Sequence, residues 1–467
     1  MSHQTARTFI PAENPLGTQP VKLLIWKYSL PGIASQLINS AHNIVDQIFI
    51  GWGINDLGIA ATNVTFTFTT MMTAISALIG MGASANFSIL LGRKQTEKAT
   101  DYLGNAITLM TAVSIIVAAI SLIFLEPVLY IFGATDLIME YAVPYARIIC
   151  IGIPFGIFAS GMSYFIRADG SPNYASIMLL SGAIFNMIFD PVFLFIFDMG
   201  MSGVALATVL GQMLSCVLAV IYVLRRLKTV QLIKENFRVK VSIIKSVFAL
   251  GIATFTTHVL NTAAQIIQMN SLKTYGAMSA FGSEVVLTAS GAVAKLTMVF
   301  LASVIGIALG CQPIIGYNLG SKRYNRVKET YLTALKYGTI IAAVSYLALQ
   351  LFPGNILKIF GSEDPLFYEF ATHYIRIFFG VLFLNALQPV TSIFCTAIGK
   401  AKLGFWMAVL RQGLLLIPMM LILPRIAGLD GVLWAGSLSD LGAAMFVVFI
   451  GSRQVKELTR LEKENTK

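Results

Sequence analysis

Apolar runs of twenty or more residues recur along the whole chain, and they restrict the possible fold more than any other feature. The runs cover residues 26–51, 57–91, 103–125, 138–166, 173–197, 203–224, 244–270, 283–317, 330–352, 366–395, 403–423 and 431–451. About twenty apolar residues let a helix cross the hydrocarbon core of a bilayer. The pattern therefore predicts an all-α polytopic membrane protein with twelve transmembrane helices.

The basic residues indicate which ends of these helices face the cytoplasm. With both termini placed inside, most of the 33 Lys and Arg residues fall in inner segments, and the outer loops hold only Lys273, Lys358 and Arg425. Positive charge concentrates in the cytoplasmic loops of membrane proteins. The net charge of +11 thus follows from topology, and no nucleic acid is expected as a partner. We expect a multi-pass protein of a bacterial plasma (inner) membrane, with both termini cytoplasmic.

Two halves of the chain match each other in sequence. The matching pairs, at offsets of 228 or 229 residues, are Ile79–Gly82 with Ile307–Gly310, Leu91–Lys94 with Leu319–Lys322, Tyr145–Ile148 with Tyr374–Ile377, and Ala168 and Gly170 with Ala397 and Gly399. A parallel duplication predicts two six-helix lobes related by a pseudo-two-fold axis along the membrane normal. The expected division is an N-terminal tail (1–25), a first lobe (26–224), a cytoplasmic linker (225–243), a second lobe (244–451) and a C-terminal tail (452–467).

Two carboxylates lie inside predicted spans of the first half. Asp46 is in the first span, and Asp190 is in the fifth, where Asn186 precedes it by four residues and shares its helix face. Ionisable residues at membrane depth are costly and usually functional. Both acids lie near the outer ends of outward-running helices, so one is expected to hold a proton unless a cation lies between them. The pattern outlines a proton or sodium switch, to which Thr208 could add a hydroxyl; the alternative is two separate, locally bonded acids.

The second half does not repeat this acidic pattern. At the repeat offset, Leu415 and Met419 replace Asn186 and Asp190. Lys295 and Asp440, both predicted near mid-membrane, could form a charge pair across the second lobe, either as a structural bridge or with a role in coupling.

Four motifs resemble those of the multidrug and toxic compound extrusion (MATE) transporters. They are Asn43–Gly51, Arg167–Gly170, Asn186–Asp190 and Gly310–Gly320. The resemblance covers essentially the whole chain. It implies two six-helix lobes that export diverse lipophilic, often cationic, compounds in antiport with H⁺ or Na⁺. It implies a transporter rather than an enzyme and no cofactor, and the chain is expected to act as a monomer in the lipid bilayer.

The same resemblance implies a coupling site. Its residues would be Asp46, Asn186, Asp190 and Thr208, which would also be the metal ligands if the ion is Na⁺, and Tyr145 matches a polar position associated with them. The first helix is expected to bend near Pro31 during transport. No acid occupies the seventh span, which argues against a cation site there.

Three other functions fit the sequence less well. A lipid-linked oligosaccharide flippase of the same superfamily would need a more basic cleft, and fourteen spans are common in that group. A major-facilitator carrier would carry an acidic and basic motif where Gly92–Gln95 stands. An intramembrane enzyme would need a clustered nucleophile and base or a metal set, and the scattered His and Cys residues do not supply one.

Overall fold

The computed structural model describes residues 14–360 and 364–466; most of them are helical, and none of them lies in a strand. Twelve long segments follow one another: α1 Val21–Gly53, α2 Asp56–Gly92, α3 Thr96–Ile123, α4 Asp136–Ala168, α5 Pro172–Pro191, α6 Gly200–Arg225, α7 Val241–Ala277, α8 Gly282–Gly320, α9 Tyr324–Leu351, α10 365–397, α11 401–427 and α12 429–466. The predicted all-α class and the order of twelve segments are confirmed. Residues 1–13 of the expected N-terminal tail and Lys467 of the C-terminal tail lie outside the described residues.

Length and hydropathy support most of these segments as membrane spans. Within the described ranges, nine helices are long and apolar enough to cross a membrane, and a tenth results if Pro365–Phe378 and Leu382–Ala397, bent by 46°, form one span. One of the nine, Ala401–Asn465, is counted once although it holds two helices. The backbone breaks at Gly428, which has a φ of 58°, and this break separates α11 from α12. The helix α1 is 33 residues long but is not among the nine. The expectation that its stretch is apolar enough by itself was wrong, because polar side chains recur along it.

The backbone repeats along with the sequence. Lys94, after α2, and Lys322, after α8, have φ angles of 60° and 59°. Gly170, after α4, and Gly399, after α10, have φ angles of 89° and 80°. A positive φ is uncommon for a residue other than glycine, so its recurrence at matching lysines agrees with a duplicated six-helix unit.

The helices α1 and α7 each pass from one hydrophobic core to the other. Leu24 and Tyr28, near the start of α1, belong to the core formed mainly by α8 to α12, whereas Ile50, near its end, belongs to the core formed by α2 to α6. Val247 and Leu272 of α7 show the reverse order. Each lobe therefore receives the first turns of the helix that opens the other lobe.

The two lobes contact each other near the end of the molecule that carries the basic turns after α2 and α8, which we call the basic end. There the Ser29 hydroxyl donates a hydrogen bond to the Ile307 carbonyl at 3.3 Å. The Gln312 amide donates to the Ser84 hydroxyl at 3.2 Å. These contacts hold the lobes together at the basic end.

Glycine allows the closest of these approaches. A Cβ atom on Gly251 of α7 would collide with the Leu78 carbonyl of α2. We therefore expect Gly251→Ala to open the basic end, because overpacking costs about 1–3 kcal/mol and would shift the equilibrium at least about fivefold. The measurement is labelling of Ser88→Cys by a hydrophilic maleimide, in a background without the four native cysteines.

Gly291→Ala is the matched control for this prediction. It also adds a methyl group within a helix, but a Cβ atom at Gly291 meets nothing within 4 Å. Equal labelling of Ser88→Cys in the two alanine variants would contradict the role given to the Gly251 contact.

The described part of the expected N-terminal tail packs against the second lobe. Leu16 is fully buried. Its carbonyl accepts hydrogen bonds from the Asn318 amide at 2.9 Å and from the Arg326 guanidinium at 3.1 Å. At the other terminus, residues 452–466 continue α12 as a helix.

The linker between α6 and α7 is held against the first lobe by Asp169 and Asn105. The carboxylate of Asp169 accepts hydrogen bonds from the Tyr222 hydroxyl at 2.6 Å and from the Lys228 backbone at 2.8 Å. The Asn105 side chain accepts from the Lys240 backbone at 2.7 Å. The linker therefore has a defined position at the basic end.

Candidate functional site

Five polar side chains meet inside the first lobe, in the half farther from the basic end. We call them the acidic cluster: Asp46 of α1, Tyr145 of α4, Asn186 and Asp190 of α5, and Thr208 of α6. Asn186 is 2% exposed and Asp190 is fully buried. The structure thus brings together all five residues that the sequence and the family resemblance singled out in this lobe.

Hydrogen bonds link the members of the acidic cluster. The Asn186 amide donates to Asp190 Oδ1 at 3.0 Å and to Thr208 Oγ1 at 3.1 Å. The Thr208 hydroxyl donates to the Val204 carbonyl at 3.1 Å. These bonds engage Thr208, which therefore orients Asn186.

The local sequence explains why α5 presents its two polar groups side by side. Residues four apart lie on the same face of an α-helix, so the Asn186 amide reaches the carboxylate of Asp190. Pro191 lacks a backbone N–H and cannot continue the regular hydrogen-bond pattern. The chain changes there to a π-helical turn, Val192–Ile196, which leaves Asp190 at the end of the regular helix.

Three buried oxygen atoms of the cluster have no donor. Within the described part of the chain, no group donates a hydrogen bond to Asp46 Oδ1, Asn186 Oδ1 or Asp190 Oδ2. An unpaired buried acceptor is costly, and a cation or a proton would satisfy it. Carboxylate and amide oxygens are the ligands that hard cations prefer, so this donor set fits Na⁺ as well as H⁺.

The two carboxyl groups of the cluster also approach each other. Asp46 and Asp190 are close enough for each carboxyl group to influence the charge of the other. An ionised carboxylate is only an acceptor, so a bond between two such groups requires a proton on one of them. The pair can therefore take up one proton and turn a repulsive contact into a hydrogen bond.

Comparison with known proteins identifies the family of this chain. A family model, MatE, matches residues 31–192 and again residues 262–422, one match in each half of the chain. The chain belongs to the MATE family. The first match contains Asp46, Asn186 and Asp190, so these acidic-cluster residues of this MATE protein lie inside the family region.

Multidrug exporters are among the relatives of this MATE protein. It is 26% identical to the multidrug export protein MepA of Staphylococcus haemolyticus over 425 residues, covering 91% of each chain. It is 25% identical to MepA of Staphylococcus aureus strain MRSA252, covering 95% of this chain and 97% of that one. The chain is thus a multi-pass membrane protein of a multidrug transporter family.

Solved structures share the fold. The MATE multidrug transporter DinF-BH is 30% identical, with a TM-score of 0.86 and coverage of 94% of this chain and 96% of that one. A MATE multidrug resistance transporter in an outward-facing conformation has a TM-score of 0.87 at 20% identity, with coverage of 95% and 99%. The twelve-helix, two-lobe architecture is therefore that of the MATE family.

The second lobe contains an ion pair that differs from the predicted one. Asp440 of α12 contacts Arg411 of α11, whose Nε atom donates to Asp440 Oδ1 at 2.6 Å. The prediction that Asp440 pairs with Lys295 was wrong. Lys295 is half-buried on α8 and forms no ion pair among the described residues.

The positions of Arg411 and Asp440 match two residues of the first lobe that are also in contact. In the first lobe, Gly182 of α5 packs against Gly211 of α6, where a Cβ atom on Gly211 would lie 2.5 Å from the Gly182 carbonyl. The residues 229 positions later are Arg411 and Asp440. A close glycine contact in one lobe is therefore matched by a charged contact in the other.

Pro31 lies where α1 crosses the second lobe. The helix is uninterrupted from Val21 to Gly53, across Pro31. Next to Pro31, a Cβ atom on Gly32 would lie 2.9 Å from the Gly306 carbonyl of α8. The missing N–H of a proline weakens a helix, so a bend at Pro31 would act directly on this contact between the lobes.

Proposed function

We propose that this MATE protein is an antiporter that exports lipophilic, often cationic, compounds in exchange for H⁺ or Na⁺. The observation that carries the proposal is the set of three buried, donor-free oxygens on Asp46, Asn186 and Asp190. Family membership supplies the transported class of compound, since the MepA relatives carry the name of multidrug export proteins. The acidic cluster supplies a binding site for the driving ion.

The orientation follows from charge. Basic residues favour the cytoplasmic side of a membrane, so we take the basic end as cytoplasmic. With the lobes in contact there, this conformation is closed to the cytoplasm, and the acidic cluster lies in the outer half of the molecule. An ion arriving from outside would reach the cluster in this state.

Coupling requires that the ion bind one conformation better than the other. Loading the cluster removes the repulsion between Asp46 and Asp190, so α1 and α5 can stay close on that side. The same helix α1 contacts the second lobe near Pro31, through Gly32 and Gly306. Ion loading would therefore change how α1 holds the lobes, which gives alternating access a physical link to the ion.

Transport in proteoliposomes under separately imposed gradients tests the proposal and identifies the ion. With ethidium as the transported probe, we expect an inward gradient of one ion to drive outward movement, and an equal gradient of the other ion to have little effect. Dye movement that responds to neither a proton nor a sodium gradient would contradict coupling. Liposomes containing the Gly291→Ala protein provide a control for reconstitution.

A further inference from the structure

A polar cavity lies at the basic end, remote from the acidic cluster. Its volume is about 450 Å³, and its lining includes the cationic side chains of Lys27, Arg226 and Lys228 together with Tyr174. No acidic side chain lines it within the described part of the chain. We call this cavity the basic pocket.

Two of the three cations of the basic pocket are held by neutral groups. The Arg226 guanidinium lies 5.4 Å from the centre of the Tyr174 ring, and the Lys228 ammonium donates to the Gly170 carbonyl at 3.4 Å. Among the described residues, neither these two nor Lys27 forms an ion pair.

Asp169 precedes the pocket residue Gly170 in the chain, and its carboxylate already accepts several hydrogen bonds. Asp169 Oδ2 accepts from the Tyr222 hydroxyl and the Lys228 backbone, and Asp169 Oδ1 accepts from the backbone and hydroxyl of Thr229. Both oxygens therefore bind the linker, and among the described residues Asp169 forms no ion pair with a cation of the pocket.

The second lobe provides an internal comparison. At the offset of 229 residues, Ser171 corresponds to Lys400 and Lys228 corresponds to Glu457. Lys400 and Glu457 form an ion pair, and Lys400 also contacts Gln454 at 2.8 Å. The second lobe thus supplies its own anion at this place, whereas the first lobe has a neutral serine and a lysine at the matching positions.

The pocket opens beside a lipid-facing surface. Leu23, Lys27 and Leu30 lie on one face of α1, since they are spaced by four and three residues, and Leu23 and Leu30 are 56% and 60% exposed. Trp26 is 48% exposed, and tryptophan is enriched at the level of lipid headgroups. An amphiphile could place its charged group in the pocket and its chains along this face.

We propose that the basic pocket binds the phosphate group of an anionic phospholipid from the leaflet at the basic end. Basic pockets between transmembrane helices on the cytoplasmic side suit such headgroups. Lys27 lies on a turn of α1 that packs in the core of the second lobe, whereas Tyr174 packs against the core of the first lobe and the linker residue Arg226 lies over its ring. The bound lipid bridges the lobes and favours the conformation in which the basic end is closed. This inference does not depend on the proposed ion coupling.

Native mass spectrometry of the purified protein, titrated with phosphatidylglycerol or with phosphatidylcholine of the same chains, tests the proposal. We expect the first lipid to bind at least about tenfold more tightly, because each basic residue near an anionic surface contributes appreciably. The triple variant K27Q/R226Q/K228Q should lose this preference. The control K98Q/K402Q/K456Q removes the same charge from exposed lysines elsewhere and should keep it.

Two results would overturn the proposal. One is an unchanged preference for phosphatidylglycerol in the triple variant. The other is competition by glycerol 3-phosphate at equal concentration, which would identify a site for soluble phosphate compounds. If the triple variant does not fold, the single variants K27Q and K228Q decide the question, because each should lose part of the preference and an unchanged preference in both would contradict the proposal.

Discussion

Asp46→Asn should strongly reduce gradient-driven export while leaving the protein folded. The substitution removes a carboxylate from the acidic cluster, so Asp190 loses the partner with which it can share a proton or bind a cation. Coupling free energies between sites are typically about 1–3 kcal/mol, or about 5- to 150-fold in affinity, and we expect export to fall by an amount in this range. The measurement is ethidium transport in proteoliposomes under the active gradient.

The matched control for Asp46→Asn is Asp198→Asn. Asp198 is exposed and has a φ of 50°, a conformation that asparagine tolerates as well as aspartate. This control removes one carboxylate from the same lobe but not from the cluster, and it should keep wild-type export. Full gradient-driven export by the Asp46→Asn protein would contradict the proposed coupling mechanism.

Arg411→Leu should be strongly destabilising. It leaves Asp440, whose side chain is 6% exposed, without its ion-pair partner inside the second lobe. Removing one member of a buried ion pair costs about 3–5 kcal/mol. We expect a clear fall in the thermal unfolding midpoint of the purified protein in detergent, and the double variant R411L/D440L should recover part of it, because an apolar pair replaces the uncompensated charge.

Lys295→Leu distinguishes the observed pair from the one expected from the sequence. Lys295 is a half-buried cation of the same lobe, and it forms no ion pair with Asp440. Its replacement should therefore cost only about 1 kcal/mol, as for an average substitution. A loss as large as that of Arg411→Leu, or no recovery in the double variant, would count against the importance of the Arg411–Asp440 contact.

The sequence predicts the fold well because bilayer-spanning segments depend on local composition. A run of apolar residues indicates a span without reference to the rest of the chain, and the basic loops indicate its direction. The helix α1 shows the limit of this rule. Its polar side chains lower its hydropathy, and its helical length is explained by packing against both lobes.

The acidic cluster was predictable in part. Asn186 and Asp190 are four residues apart, so helical periodicity alone places them together. Their contact with Asp46 joins residues far apart in the chain, and the sequence indicated it through similar depth and the family resemblance. Local periodicity contains no information about which distant helix lies alongside.

The Arg411–Asp440 pair shows why the second lobe was harder to predict. Depth in the membrane makes Lys295 and Arg411 comparable partners for Asp440, and only the packing of α11 against α12 distinguishes them. The duplicated positions Gly182 and Gly211 are also in contact, but only the structure shows that contact. The sequence alone therefore did not indicate which cation faces Asp440.

The crossing of α1 has a consequence for how the chain is made. Its first turns, including Leu24 and Tyr28, bury themselves against helices that begin more than two hundred residues later. Proteins are synthesised from the N-terminus, and domains generally fold as they emerge. Here the opening helix cannot complete its packing until the second half has been inserted. Neither six-helix half is therefore a finished folding unit, because each depends on the other for part of its core.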